Sequence, residues 1–101
     1  MAKNKNTKSV TSVVDAESHW ALGNELFNQG NYLEACEEYR KAVEKNPDDA
    51  LAYNNWGIAL DNQKKYDEAI EKYRIATEKN PDYTDAYNNW GLTLANQKKY
   101  D

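Results

Sequence analysis

Chemistry that needs several cysteines, several histidines or a long apolar run has little to work with in this chain. Cys36 is the only cysteine and His19 the only histidine. One cysteine cannot build a disulfide framework, so a reducing cytoplasm is the simplest setting. A lone histidine offers neither a metal set nor a histidine-based triad. No stretch approaches the roughly 18 apolar residues of a membrane-spanning helix. The first 15 residues, MAKNKNTKSVTSVVD, hold three lysines but no continuous apolar segment. They do not read as a secretory signal, and residues 1–15 are expected to be a disordered polar leader. No nucleophile with a base, no metal set and no phosphate loop appears. The expectation is therefore a protein that is not an enzyme, with no catalytic residues, no cofactor and no metal.

Net charge is −4, unevenly placed. Residues 1–15 carry three lysines and one aspartate, whereas residues 16–101 carry ten basic and sixteen acidic side chains. An acidic folded part repels a phosphate backbone, which argues against nucleic acid as a partner. The basic leader reads as a solubilising tail.

What is abundant is repetition. AYNNWG stands at 52–57 and at 86–91, and NQKKYD at 62–67 and at 96–101, both 34 residues apart. Residues 50–67 and 84–101 agree at 13 of 18 positions, and residues 16–49 and 50–83 at 17 of 34. One period in three registers means a structural repeat, and periods of this length are those of solenoids. The units run 16–49, 50–83 and 84–101, the last lacking a second half.

Each unit reads as two helices. Ala35, Tyr39 and Ala42, and likewise Ala69, Tyr73 and Ala76, recur at spacings of four and three, one stripe of an amphipathic helix. Lys-Asn-Pro at Pro47 and Pro81 ends each unit, since proline just past a helix cannot continue it. Asp15, Asp49 and Tyr83-Thr84 stand where first helices should begin, and Asp and Thr cap helix N-termini well. Gly23, Gly57 and Gly91 fall mid-helix, where glycine costs roughly 1 kcal/mol relative to alanine. That loss is tolerated where a missing side chain lets two helices approach. Trp56, Leu60, Tyr66 and Tyr73 then fill the space between hairpins, with Tyr32, Tyr39 and Tyr100 at equivalent packing places. Cys36 aligns with Ile70 and reads as a small buried hydrophobe. Glu37 with Lys41, and Glu68 with Lys72, have the spacing of surface ion pairs.

These residues resemble the tetratricopeptide repeat (TPR) family. Its pattern of aromatic, Leu-Gly, aromatic, Ala, aromatic and Pro is met by Tyr53, Trp56-Gly57, Leu60, Ala69, Tyr73, Ala76 and Pro81. In the first unit His19, Leu22-Gly23, Leu26, Ala35, Tyr39, Ala42 and Pro47 take those places, with His19 departing from the usual aromatic. The resemblance covers residues 16–101. It implies an all-α solenoid of five helices in a right-handed superhelical stack.

Family members line a concave groove with their first helices, and ligands there are commonly extended peptides. The resemblance places Trp20, Asn24, Phe27, Asn54, Asn55, Ile58, Asn62, Asn88, Asn89, Leu92 and Asn96 on that face. An asparagine amide both donates and accepts, so it can pair with peptide backbone without reading side chains. Asn55 and Asn89 match the asparagine ladder in the TPR region of O-linked N-acetylglucosamine transferases; Ala21 breaks it in the first unit. Related co-chaperone repeats clamp acidic chaperone tails with cations. Asn24 and Asn55 match that clamp's asparagines, but its cationic places hold Trp20, Asp85 and Asn89. With Asp61 also in the groove, a neutral or basic peptide is expected in place of an acidic one.

The expected function is thus a cytoplasmic protein–protein interaction module that binds an extended neutral or basic peptide, with no nucleic acid and no membrane as partner. Two alternatives stand beside it. The last helix lacks the partner its sequence calls for around Tyr87, Trp90, Gly91 and Leu94. It points to a truncated piece of a longer array, or to self-association as a homo-oligomer or scaffold element. The chain could also serve as the substrate-targeting part of a larger enzyme such as a glycosyltransferase.

Overall fold

The computed structural model describes the backbone of residues 7–100 and the side chains of residues 15–99. Five α-helices follow in order: α1 (Thr7–Asn28), α2 (Tyr32–Lys45), α3 (Ala50–Asn62), α4 (Tyr66–Lys79) and α5 (Thr84–Tyr100). Each packs on its neighbour in the chain, and the first helices of successive hairpins, α1 with α3 and α3 with α5, also touch. The radius of gyration is 15.2 Å, against about 13 Å for a compact domain of 100 residues. That elongation is what side-by-side stacking of hairpins produces.

Glycine and tyrosine set the distance within each hairpin. A Cβ on Gly23 would stand 2.7 Å from Tyr39 Cε1, and one on Gly57 2.5 Å from Tyr73 Cε1. Both tyrosine rings are fully buried, each closing a glycine notch in the preceding helix. Ala35 and Ala69 are buried beside them. Around Ala35, Tyr39 and Ala59 lie Trp20, Leu26, Phe27 and Tyr32; around Leu60, Ala69 and Tyr73 lie Ile58 and Trp90. Cys36 and Trp56 touch both groups, joining them into one core along the stack. Tyr32 and Tyr66 are half-buried, while the side chain of Tyr100 lies outside the described residues.

The helix ends follow local chemistry. Asp49 caps α3, its carboxylate accepting from the Ala52 N–H at 3.3 Å. Gly30 (φ 82°) and Lys64 (φ 62°) both sit in the left-handed region just past a first helix. The Asn31 and Lys65 N–H groups reach back to the Leu26 and Leu60 carbonyls at 2.9 and 3.0 Å, the bond of a Schellman cap. Glycine suits that conformation; lysine is strained in it.

Three expectations need correction. Residues 7–15, read as a disordered leader, belong to α1, and Asp15 is inside the helix instead of capping it. The segment contains neither glycine nor proline. Each residue added to an existing helix gains a hydrogen bond without a new nucleation step. Residues 1–6 of that leader lie outside the described residues. The anticipated surface ion pairs are also exchanged: Arg40 pairs with Glu37 and Glu44, Lys41 with Glu38, and Lys72 sits 4.1 Å over the Trp56 ring. Arginine's forked guanidinium reaches two carboxylates where lysine meets one.

Candidate functional site

The first helices present two clefts in line. The first, about 270 Å³, is lined by Asn24, Phe27 and Asn28 from α1, Tyr39 from α2, and Asn55 and Ile58 from α3. The second, about 290 Å³, is lined by Ile58, Asp61 and Asn62 from α3, Tyr73 from α4, and Asn89, Leu92 and Asn96 from α5. Ile58 is the wall between them. The two linings combine amides, apolar side chains and one tyrosine each, with Asp61 the one carboxylate.

Side-chain hydrogen bonds across the repeats fix these amides. At the first junction Asn24 Oδ1 accepts from the Tyr39 hydroxyl at 2.6 Å and from Asn55 Nδ2 at 3.0 Å. At the second, Asn89 Nδ2 donates to Asn54 Oδ1 at 3.1 Å. The Tyr73 hydroxyl donates to Asp61 Oδ2 at 3.1 Å, and the fully buried Thr93 hydroxyl donates to the same oxygen. Asn62 Nδ2 turns back to the Ile58 carbonyl at 2.9 Å. An asparagine amide has two N–H groups and an oxygen. Asn55 and Asn89 each commit one N–H to the fold, and no other hydrogen bond of either amide is formed among the described residues. An amide locked by one bond loses little freedom when it makes a second.

Burial raises the pKa of the tyrosine hydroxyls beyond the ordinary phenol range, with the Asp61 charge adding to the effect at Tyr73. They therefore remain hydrogen-bond donors at any physiological pH. Burial likewise raises the pKa of the Cys36 thiol, which accepts a hydrogen bond from Gln63 at 3.3 Å. Its surroundings disfavour the thiolate that reactive cysteines need. Among the described residues no three of His, Cys, Asp and Glu stand together as a metal site, and no helix is long and apolar enough to cross a membrane.

Of the residues placed on the groove by sequence, Asn24, Phe27, Asn55, Ile58, Asn62, Asn89, Leu92 and Asn96 line the two clefts. Three do not. Asn54 is only 4% exposed and holds Asn89. It is a support for the groove, because its repeat position faces the neighbouring hairpin. Trp20 packs on the first core group, its buried Nε1 without a partner among the described residues. Asn88 is exposed and lines neither cleft. Phe27 packs on the same core group, edge-on to Tyr32 at 5.2 Å, while still lining the first cleft. The tyrosine hydroxyls were missed. Periodicity marks Tyr39 and Tyr73 as core, and their rings are, but the polar tip of a buried tyrosine seeks an acceptor at the edge of the core.

Known proteins share this fold. A profile described as tetratricopeptide repeat matches residues 20–83 and 54–101. Over 33 residues, 33% of the chain, the sequence is 54% identical to Hsp70-Hsp90 organizing protein 1 of Glycine max, and the match spans 6% of that protein. The TPR2B domain in the pHsp70 complex of yeast Sti1 superposes with a TM-score of 0.83 at 29% identity, over 86% of this chain and 70% of that one. The first TPR of Spaghetti (RPAP3), bound to the HSP90 peptide SRMEEVD, gives 0.81 at 31% identity, over 85% and 69%. The chain therefore spans a small part of its curated relative and about seven-tenths of these domains. With the repeat, the glycine–tyrosine packing and the matched profile in agreement, the chain belongs to the tetratricopeptide repeat family.

Proposed function

We propose that this chain is a protein–protein interaction module that holds an extended neutral or basic peptide in the groove along α1, α3 and α5. The observation that carries the reading is the half-committed state of Asn55 and Asn89: one amide N–H of each is fixed across a repeat junction, and the remainder is left at the clefts. Such groups suit peptide backbone, whose N–H and C=O must be paired when taken out of water. Structural relatives supply a precedent, since the Sti1 and RPAP3 domains are complexed with peptides of Hsp70 and HSP90.

The charge of the ligand should differ from those precedents. The HSP90 peptide SRMEEVD is acidic at its C-terminus. Neither cleft here has a basic residue in its lining, and the second contains Asp61. An acidic tail would lack the charge-assisted bonds that hold carboxylates, whereas a neutral or basic segment loses nothing. The single half-buried thiol fits a reducing, cytoplasmic setting.

The test is an array of end-capped peptides of varied charge, read with the natural chain and with the double variant Asn55→Ala, Asn89→Ala. Binding of neutral and basic peptides should fall about tenfold or more in the variant, the loss expected for two hydrogen bonds. Unchanged binding would remove the groove from consideration.

A second reading rests on α5. Tyr87 and Leu94 are 47% and 48% exposed, and nothing lies within 4 Å of a Cβ built on Gly91. This face copies the one on which α3 receives α4, so it suits self-association or a further hairpin of a longer scaffold. A light-scattering mass that stays at 11.6 kDa across a wide concentration range would exclude self-association. A targeting role within a larger enzyme draws support from the match of Asn55 and Asn89 to the glycosyltransferase ladder; the full reading frame decides it.

A further inference from the structure

The two clefts share a backbone plan but differ in the group that receives the buried tyrosine. In the first, Tyr39 donates to Asn24. Thirty-four residues on, Ile58 stands in place of Asn24 and cannot accept a hydrogen bond. The hydroxyl of Tyr73 turns to Asp61, which stands where the first repeat has Phe27. The exchange replaces an amide by a carboxylate and moves it one turn along the helix.

The hydrogen bonds to Asp61 fall on one oxygen and leave the other without any. Oδ2 takes both the Tyr73 and Thr93 hydroxyls, while Oδ1 is buried without a hydrogen-bond partner among the described residues. A buried carboxylate oxygen left unpaired is unfavourable, and the group that relieves it best is a cationic donor. No residue lining this cleft supplies one. On either side stand Ile58 and Leu92, the latter 64% exposed, giving apolar surface of the kind that the methylene stem of a lysine or arginine covers. The first cleft offers Phe27 and neutral amides instead. The surrounding charge agrees: residues 16–101 carry sixteen acidic and ten basic side chains.

We infer that the second cleft is the subsite for a lysine or arginine side chain of the bound peptide, with Asp61 as the specificity-determining residue, and that the first cleft takes a neutral apolar neighbour. This rests on the groove being the peptide site. The aliphatic stem lies between Ile58 and Leu92, and small shifts of the surrounding side chains open Asp61 Oδ1 to the cationic head. Asn55 and Asn89 hold the backbone on either side.

The test uses the full chain and end-capped nonapeptides in which each position in turn is lysine, arginine, norleucine or glutamate. Norleucine keeps the stem of lysine and removes the charge. At one position the natural chain should prefer lysine or arginine over norleucine by about tenfold, as a charge-assisted bond provides, and reject glutamate. Asp61→Asn, which keeps an acceptor for Tyr73 and Thr93, should bring the lysine-over-norleucine ratio down to about one. Peptide binding with no preference for the cation, or a preference that survives Asp61→Asn, overturns the subsite while the groove stands. Absence of binding to every peptide overturns both. If the variant does not fold, absence of the lysine-over-norleucine preference in the natural chain still overturns the subsite.

Discussion

Helices α3 and α5 contain the same hexapeptide, AYNNWG, in two environments. In α3 it is enclosed: Asn54 is buried, Tyr53 is half-buried and stacked with Trp56 at 6.3 Å, and Gly57 lies under the ring of Tyr73. In α5 the matching Asn88, Tyr87 and Gly91 are exposed. The second shared hexapeptide goes further. At 62–67 NQKKYD ends α3, turns through Lys64 at φ 62° and starts α4; at 96–100 the same residues continue α5. The first copy is followed by α4, which packs back onto α3, and packing routinely overrides intrinsic preference.

The largest test of this contrast is at the glycines. Gly57→Ala drives a methyl into a buried ring and should lower the unfolding free energy by about 1–3 kcal/mol, the usual result of overpacking. Gly91→Ala meets nothing within 4 Å and should raise it by up to about 1 kcal/mol through helix propensity. Urea denaturation measures both, and equal effects would mean that α5 is enclosed in solution.

The asparagines come next. Asn54→Ala removes the buried acceptor of Asn89, for a loss of about 1–3 kcal/mol. Asn88→Ala, on an exposed surface, should stay within about 0.5 kcal/mol of the natural chain. Thermal melting of the two variants side by side separates them.

A smaller effect of opposite sign is expected at the turn. Lys64→Gly relieves a left-handed lysine and should stabilise by about 0.5–1 kcal/mol. Lys98→Gly puts glycine into the end of α5 and should destabilise by about 0.5 kcal/mol or less. Denaturation midpoints moving in opposite directions would show that the two copies of NQKKYD differ in solution as they do here.

The smallest contrast is one of pH and separates the two hairpins. Burial works against ionisation of Glu38, but hydrogen bonds from His19, at 2.8 Å, and Lys41 outweigh it and hold the carboxyl below its ordinary pKa. A carboxyl depressed by folding stabilises the native state above its unfolded pKa, and that contribution disappears as pH falls through the folded pKa. The equivalent residue of the second hairpin is Lys72, seated over Trp56. Melting curves from pH 7 down to about 3 should show a weaker acid dependence for Glu38→Gln than for the natural chain.

How much of this was legible in the sequence follows from what kind of contact each feature needs. The hairpins were visible because their signals are local or periodic: the alanine–tyrosine stripes, the mid-helix glycines, Asp49 before α3 and the prolines after α2 and α4. The extent of α1 was not, because polarity between residues 7 and 15 suggested disorder while the absence of any helix breaker decided the outcome. Eight of the proposed groove residues reached the clefts, since position within the repeat fixes the direction of a side chain. Asn54 and Trp20 did not, because their surroundings include the neighbouring hairpin. The bonds of Asn24 with Asn55, Asn54 with Asn89 and Asp61 with Thr93 join residues 31, 35 and 32 apart. No pattern within one helix announces them. Only the alignment of repeats could have suggested that replacing Asn24 by Ile58 forces Tyr73 to another acceptor.

The most direct test of the groove as the working surface is a nuclear magnetic resonance titration of the labelled chain with a basic nonapeptide selected from the array. The side-chain amides of Asn24, Asn55, Asn89 and Asn96 and the methyl groups of Ile58 and Leu92 should shift together and saturate with one affinity, while Tyr87, Gly91 and Leu94 stay still. Shifts confined to Tyr87, Gly91 and Leu94 would contradict the account and make the exposed side of α5 the binding surface.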